Sequence, residues 1–232
     1  MAAPDDIFYS TQPKRATGLD GYSYFIKGWS DRNIVVAEAV AHQLARHLDL
    51  NVPEFGIAIP SDKIGPLFAS REIARCQRQI EMWLRQDRTV NRTLLSEILA
   101  FDIWIMNKDR NIGNVVGEEQ LAPHRGRVAL VAIDFEKAMA LRGPYPLTTT
   151  PNIVPKSLWP SGTLGKLVAG DVCPKRILTA IESVTDQQVL DCFNRVEAAL
   201  NESISWKDSS VLLLNNRAKR IRTLVAEVWH ER

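Results

Sequence analysis

Residues 107–114 read Asn-Lys-Asp-Arg-Asn-Ile-Gly-Asn, which sets a carboxylate, Asp109, five positions ahead of an amide, Asn114. Further on, Asp134 closes the apolar run 128–133. Phosphoryl transfer from ATP needs a carboxylate that orients or deprotonates the acceptor hydroxyl. It also needs oxygen ligands that hold magnesium against the phosphates, because hard cations prefer carboxylate and amide oxygens. Asp109 suits the first task, Asn114 and Asp134 the second. Each residue also has an ordinary reading: Asp and Asn in loops form turns and caps. A carboxylate at the end of an apolar strand needs a cation, for which Mg²⁺ and Arg110 are the two candidates. The order of the three residues is what favours the phosphoryl-transfer reading. Asp102 and Asn107 read as scaffolding, with Asp102 hydrogen-bonding the backbone of the loop.

FDIWIMNKDRNIGN followed by VAIDFEKA resembles the catalytic loop and metal-binding strand of HipA-like kinases, and echoes the DRxxxN and DF pattern of phosphatidylinositol kinases. The resemblance continues upstream in YFIK, which ends at Lys27, in Glu38, and in Leu-Asn-Val-Pro-Glu at 50–54. It spans roughly residues 20–230 and implies an α+β, bilobal protein-kinase-like fold. The small α/β nucleotide-binding lobe is then 1–74, and the mainly helical lobe with the catalytic loop 75–232. The activity implied is that of an ATP- and Mg²⁺-dependent kinase acting on a hydroxyl of a protein (Ser/Thr) or of a small molecule. In that scheme Lys27 contacts the ATP phosphates, Glu38 pairs with Lys27, Asp109 serves the acceptor, and Asn114 and Asp134 bind magnesium. Read alone, Lys27 has a solvated strand end as its ordinary alternative, and Glu38 an exposed partner of His42 one turn on.

The chain departs from nucleotide fingerprints at one point: no G-x-G-x-x-G precedes Lys27, and the nearest substitute is Thr17-Gly18-Leu19-Asp20-Gly21. That departure keeps open a second function, a catalytically idle kinase-like module binding nucleotide or a partner. A toxin kinase of a toxin–antitoxin system is a third, resting on family analogy alone.

The elements that must position these residues are partly legible. The aromatic-rich alternation of 21–27 predicts a strand ending in Lys27, and Gly28 permits the turn after it. Ser30 or Asp31 caps a helix to about Leu48, with Ala37, Val40, Ala41, Leu44 and Leu48 as its apolar stripe, and Pro53 prevents continuation. Short strands are expected at 55–59 and 66–70, polar helices over 72–85, and a strong helix over 93–106 that delivers the loop at 107–114. Val115, Val116 and 128–133 read as two strands. Five prolines between Arg142 and Gly162 exclude regular structure there; Thr148, Thr149 and Thr150 in that stretch read by default as threonines of a flexible loop, with a phosphorylation switch as the alternative. Helices are expected at 175–183, 186–201 and 207–230.

Composition excludes more than it selects. The 232 residues are 45% hydrophobic and 24% charged, with a formal net charge of +2, so neither a nucleic-acid nor a membrane partner is indicated. The basic group Arg217, Lys219, Arg220 and Arg222 reads as a solvated helix face. Cys76, Cys173 and Cys192 form no CxxC pair and no metal spacing, which suits a reducing cytoplasm.

Overall fold

The computed structural model describes residues 13–29, 31–60, 65–143, 162–168 and 174–230. The proline-rich stretch with its three threonines lies outside them.

An antiparallel sheet of four strands comes first, in the order β1-β2-β4-β3: β1 (Lys14–Thr17), β2 (Ser23–Lys27), β3 (Phe55–Ala58) and β4 (Leu67–Arg71). The β1–β2 turn is closed by a bond from Gly18 N to Tyr22 O at 2.8 Å, with Gly21 at φ 81. Helix α1 (Arg32–His47) begins at Asp31, whose carboxylate accepts from Asn33 N at 2.9 Å. That bond satisfies one of the donors every helix leaves free at its start.

Helix α1 packs on β3 and β4 with one side and on α6 (Asp186–Leu200) with another, so it is buried over most of its circumference. Arg32 pins its start, donating to Pro66 O at 3.0 Å and to Glu202 at 2.7 Å. Arg142 adds an ion pair to Asp31. At the far end, Arg176 donates to Leu48 O at 3.1 Å. The helix that carries Glu38 is therefore tied at both ends to later parts of the chain.

The second sheet, antiparallel and in the order β5-β6-β7, is built from β5 (Cys76–Gln77), β6 (Val115–Glu119) and β7 (Val128–Ala132). Between β5 and β6 lie α2 (Ile80–Arg85) and α3 (Leu94–Ile105). Helix α3 touches α4 (Gly162–Val168), α5 (Lys175–Glu182), α7 (Lys207–Ala218), α8 (Ile221–His230) and β7. Most of its residues are apolar, as suits a helix packed by neighbours around its circumference, and almost all of them are buried. One buried apolar cluster runs from α1 through α3 to the C-terminal helices, and a small second one (Ile26, Leu67, Ala69) covers the other face of the first sheet.

Several expectations need correction. The segment 72–85 is not a run of helices: residues 76–77 pair with β6, and helix starts only at Ile80. The helix expected over 207–230 is two helices, interrupted at Lys219 and Arg220. Strand β1 and helix α4 were not expected at all. Arg217 is not on a solvated face; it is fully buried, donating to Trp104 O at 3.0 Å and to Ile103 O at 2.5 Å. It thereby satisfies the Trp104 carbonyl at the C-terminal end of α3 and adds a close donor to that of Ile103, which Met106 N reaches only at 3.4 Å. Arg222 is exposed and pairs with Glu182.

Candidate active site

Lys27 is the last residue of β2, and Gly28 (φ 99) turns the chain away immediately after it. Its Nζ is 2.7 Å from Glu38 Oε1, 2.8 Å from Asp134 Oδ1 and 3.7 Å from Glu136 Oε2. The other oxygen of Glu38, Oε2, accepts from Phe135 N at 3.0 Å, so one carboxylate on α1 holds both the lysine and the backbone beside Asp134. Among the described residues, Glu38, Asp134 and Glu136 offer oxygens that all lie within 4.8 Å of one another. Burial pulls the Lys27 ammonium down, but Glu38 and then Asp134 outweigh it and hold its pKa above the ordinary value. Burial likewise pushes the Glu38 carboxyl up, against the pull of Lys27. For Asp134 burial works upward, and Lys27 overrides it to leave the carboxyl below its usual range.

The loop after α3 is held by a buried arginine. Met106 ends the helix in the left-handed region, φ 58, and Asn107 donates through Nδ2 to Asp102 Oδ1 at 2.9 Å. Arg110 Nε donates to Asp102 Oδ2 at 2.7 Å, and its Nη1 donates to Asn114 O at 2.7 Å and to Ile133 O at 2.5 Å. The guanidinium lies over the Phe135 ring, 4.9 Å from its centroid. Burial raises the Asp102 carboxyl and Arg110 counteracts it. One side chain thus knits α3, the loop and the end of β7 together, and an arginine's rigid fork of donors suits that task.

Within this frame Asp109 is exposed, and its carbonyl accepts from Asn114 Nδ2 at 2.7 Å. That bond commits the amide nitrogen of Asn114 and leaves its oxygen as the atom it presents. Ile133 N donates to Asn114 O at 3.1 Å, which sets Asn114 beside the end of β7 and hence beside Asp134. Asp134 sits at φ 65, a conformation that Asp tolerates better than most residues. Burial, and after it the negative charge of Asp134, raise the Asp109 carboxyl.

A cleft opens from this cluster between the two sheets. Phe25, Phe68 and Ser70 line it from the first sheet, Val116 from the second and Ile133 just past the end of β7, with Ile73 along its wall and Lys27, Glu38 and Asp134 at its charged end. His42, one turn after Glu38, packs below among Phe55, Phe68 and Phe135 at ring-centroid distances of 5.0, 4.9 and 5.1 Å.

Lys27, Glu38 and Asp134 therefore meet at one point, with Asp109 and Asn114 on the adjoining loop. The cation facing Asp134 is Lys27, not Arg110, which is engaged by Asp102. Glu38 and His42 are buried, not an exposed pair, and His42 Nδ1 lies 2.8 Å from Glu38 O. Asp102 binds the side chains of Asn107 and Arg110 rather than the loop backbone. Glu136, buried beside Lys27, was not singled out by sequence reasoning, although it lies within the VAIDFEKA run.

This arrangement of mixed sheet and helix is similar in fold to a solved kinase structure. The proinflammatory kinase CtkA of Helicobacter pylori superposes with a TM-score of 0.50 at 12% identity, covering 97% of this chain and 96% of that one. An N-terminal 618-residue fragment of LepB from Legionella pneumophila gives a TM-score of 0.46 at 12% identity, covering 90% of this chain and 46% of its own. Among curated proteins, none matches this chain in sequence. The model of the HipA-like kinase family matches residues 9–142, more than half of the chain, and the chain belongs to that family. Membership implies a phosphotransferase that uses ATP and a divalent cation.

Proposed function

We propose that this chain transfers the γ-phosphoryl group of ATP to a hydroxyl of a protein (Ser/Thr) or small-molecule acceptor, with magnesium. The single observation that carries the reading is the buried junction of Lys27, Glu38 and Asp134 at 2.7 and 2.8 Å, next to the loop that bears Asp109 and Asn114. Burying one lysine against several carboxylates is costly for stability alone, and an idle nucleotide-binding module needs no acceptor-side carboxylate.

The base of the nucleotide occupies the apolar part of the cleft, between lobes 1–74 and 75–232, where Phe25, Phe68, Val116 and Ile133 supply the walls. Lys27, oriented by Glu38, contacts the phosphates. Asp134 and the oxygen of Asn114 are hard donors of the kind magnesium prefers, so these two residues hold the ion. When bound, the ion neutralises phosphate charge as transfer proceeds. Asp109 orients the acceptor hydroxyl and receives its proton; burial and the nearby Asp134 charge raise its pKa and so strengthen it as a base.

Calorimetry of ATP binding with and without magnesium, on the intact chain and on Asp134→Ala, tests the site. Magnesium-dependent binding that disappears in the variant is expected; no binding to the intact chain overturns the reading. Asp109→Ala should bind nucleotide normally and lose transfer by a factor of roughly 10²–10⁴.

A further inference from the structure

Glu136 is a buried carboxylate standing between two lysines. Its Oε2 lies 3.7 Å from Lys27 Nζ, and its Oε1 lies 3.5 Å from Lys137 Nζ. The two lysines differ in freedom. Lys27 is buried and gripped at 2.7 and 2.8 Å by Glu38 and Asp134, whereas the Lys137 side chain is 37% exposed, and 3.5 Å is longer than a tight charge-assisted bond of about 2.7–2.9 Å. Lys137 can therefore move its charge by a rotamer change without leaving the edge of the cluster.

Asp109 lies within electrostatic reach of that edge. Asp134 and Glu136 act on its carboxylate as like charges, and Lys137 and Arg110 act as opposite ones. Arg110 is immobile, because Asp102, two backbone carbonyls and the Phe135 ring all engage it. Lys137 is then the mobile cation of that pair. A phosphoryl group in transit between nucleotide and acceptor spreads negative charge over its three equatorial oxygens, and a cation placed there stabilises the transition state more than the ground state.

We propose that Lys137 is a catalytic residue, the acceptor-side cation for the phosphoryl group in transit, and that Glu136 is the positioning residue that sets it opposite Lys27. The inference rests on the phosphoryl-transfer reading above. In the step, the bond from the acceptor oxygen to the γ-phosphorus forms as the bond to the β-bridging oxygen breaks. The electron pair leaves with ADP and the hydroxyl proton passes to Asp109. Lys137 takes no part in the proton transfer.

The test compares binding of Mg·ADP with binding of Mg·ADP plus fluoroaluminate, which mimics the phosphoryl group in transit and requires no knowledge of the acceptor. Lys137→Ala should bind Mg·ADP like the intact chain but bind the fluoroaluminate complex roughly a hundredfold more weakly. Lys137→Arg should recover part of the loss, and Lys108→Ala, which removes an exposed lysine beside Asp109, should change neither. Glu136→Gln should weaken the fluoroaluminate complex alone, whereas a merely structural role would weaken both. If the intact chain tightens with fluoroaluminate and Lys137→Ala tightens equally, the role of Lys137 is overturned while the kinase reading stands. If the intact chain binds no Mg·ADP, the kinase reading fails and takes the lysine role with it.

Discussion

Replacing His42 with phenylalanine should make the protein more resistant to acid, by an amount that its surroundings set. The imidazole is fully buried; its Nδ1 donates to Glu38 O at 2.8 Å, and its Nε2 has no hydrogen-bond partner among the described residues. Burial drives its pKa from the ordinary 6.5 to about 3, the bond to the Glu38 carbonyl only partly offsetting this. As pH falls below about 6.5 the unfolded chain takes up a proton on His42 and the folded chain does not, so acid favours unfolding until pH reaches about 3. At pH 5.0 the gap is about 1.5 pH units, worth about 2 kcal/mol at ~1.4 kcal/mol per unit. Phenylalanine places a non-titrating ring in the same cage of Phe55, Phe68 and Phe135, and loses at most the Nδ1 bond, about 1 kcal/mol at every pH. Glu38 titrates in the opposite sense, since burial raises its pKa and acid favours its folded form, but it is common to both chains and cancels. Urea unfolding at pH 7.5 and 5.0 reads the effect. The stability difference, variant minus wild type, should grow by about 2 kcal/mol between the two pH values; a difference that stays constant refutes the assignment of a neutral buried imidazole.

Gly28→Ala should destabilise the chain by roughly 1–3 kcal/mol and weaken ATP binding as well. Gly28 holds φ 99 and a Cβ there would stand 2.2 Å from Val35 Cγ2, so the strain falls on the residue next to Lys27; an unchanged urea midpoint would contradict this. Arg217→Met should lower stability by roughly 1–3 kcal/mol by stranding the Trp104 carbonyl and leaving that of Ile103 only its 3.4 Å bond from Met106 N. A thermal-unfolding midpoint equal to that of the wild type would show that those carbonyls find other donors.

Much of the frame was legible because local signals and burial agreed. Asp31 followed by the apolar stripe of α1, the aromatic alternation of β2, and the apolar run of β7 each specify one element. Where reading failed, the cause was tertiary. Strand β1 is four exposed residues that become a strand only by pairing with β2. Residues 76–77 lie in a polar, helix-like stretch and turn into β5 because β6 offers them an edge. No Gly or Pro marks the break at Lys219 and Arg220. Arg217 looked like a surface residue because its partners, the carbonyls ending α3, lie more than a hundred positions away.

In the site, the meeting of Lys27 with Glu38 followed from the resemblance, but the cation opposite Asp134 did not. Arg110 is near in sequence and was the natural candidate, yet Asp102 captures it first. Glu136 was missed for a backbone reason: the left-handed turn at Asp134 breaks the in-and-out alternation of β7, so the direction of later side chains cannot be counted from the strand.

The contact between Lys27 and Asp134 also bears on how the protein lives with changing ion levels. A chain that packs several acids around a bound metal can draw part of its folding free energy from that ion. This one carries its counter-ion on a tether: the ammonium at the end of β2 is as permanent as the peptide bond that holds it. Chelators should therefore leave the fold intact and act only on ligand loading, and an arriving nucleotide meets an exchange of partners rather than a bare well of negative charge.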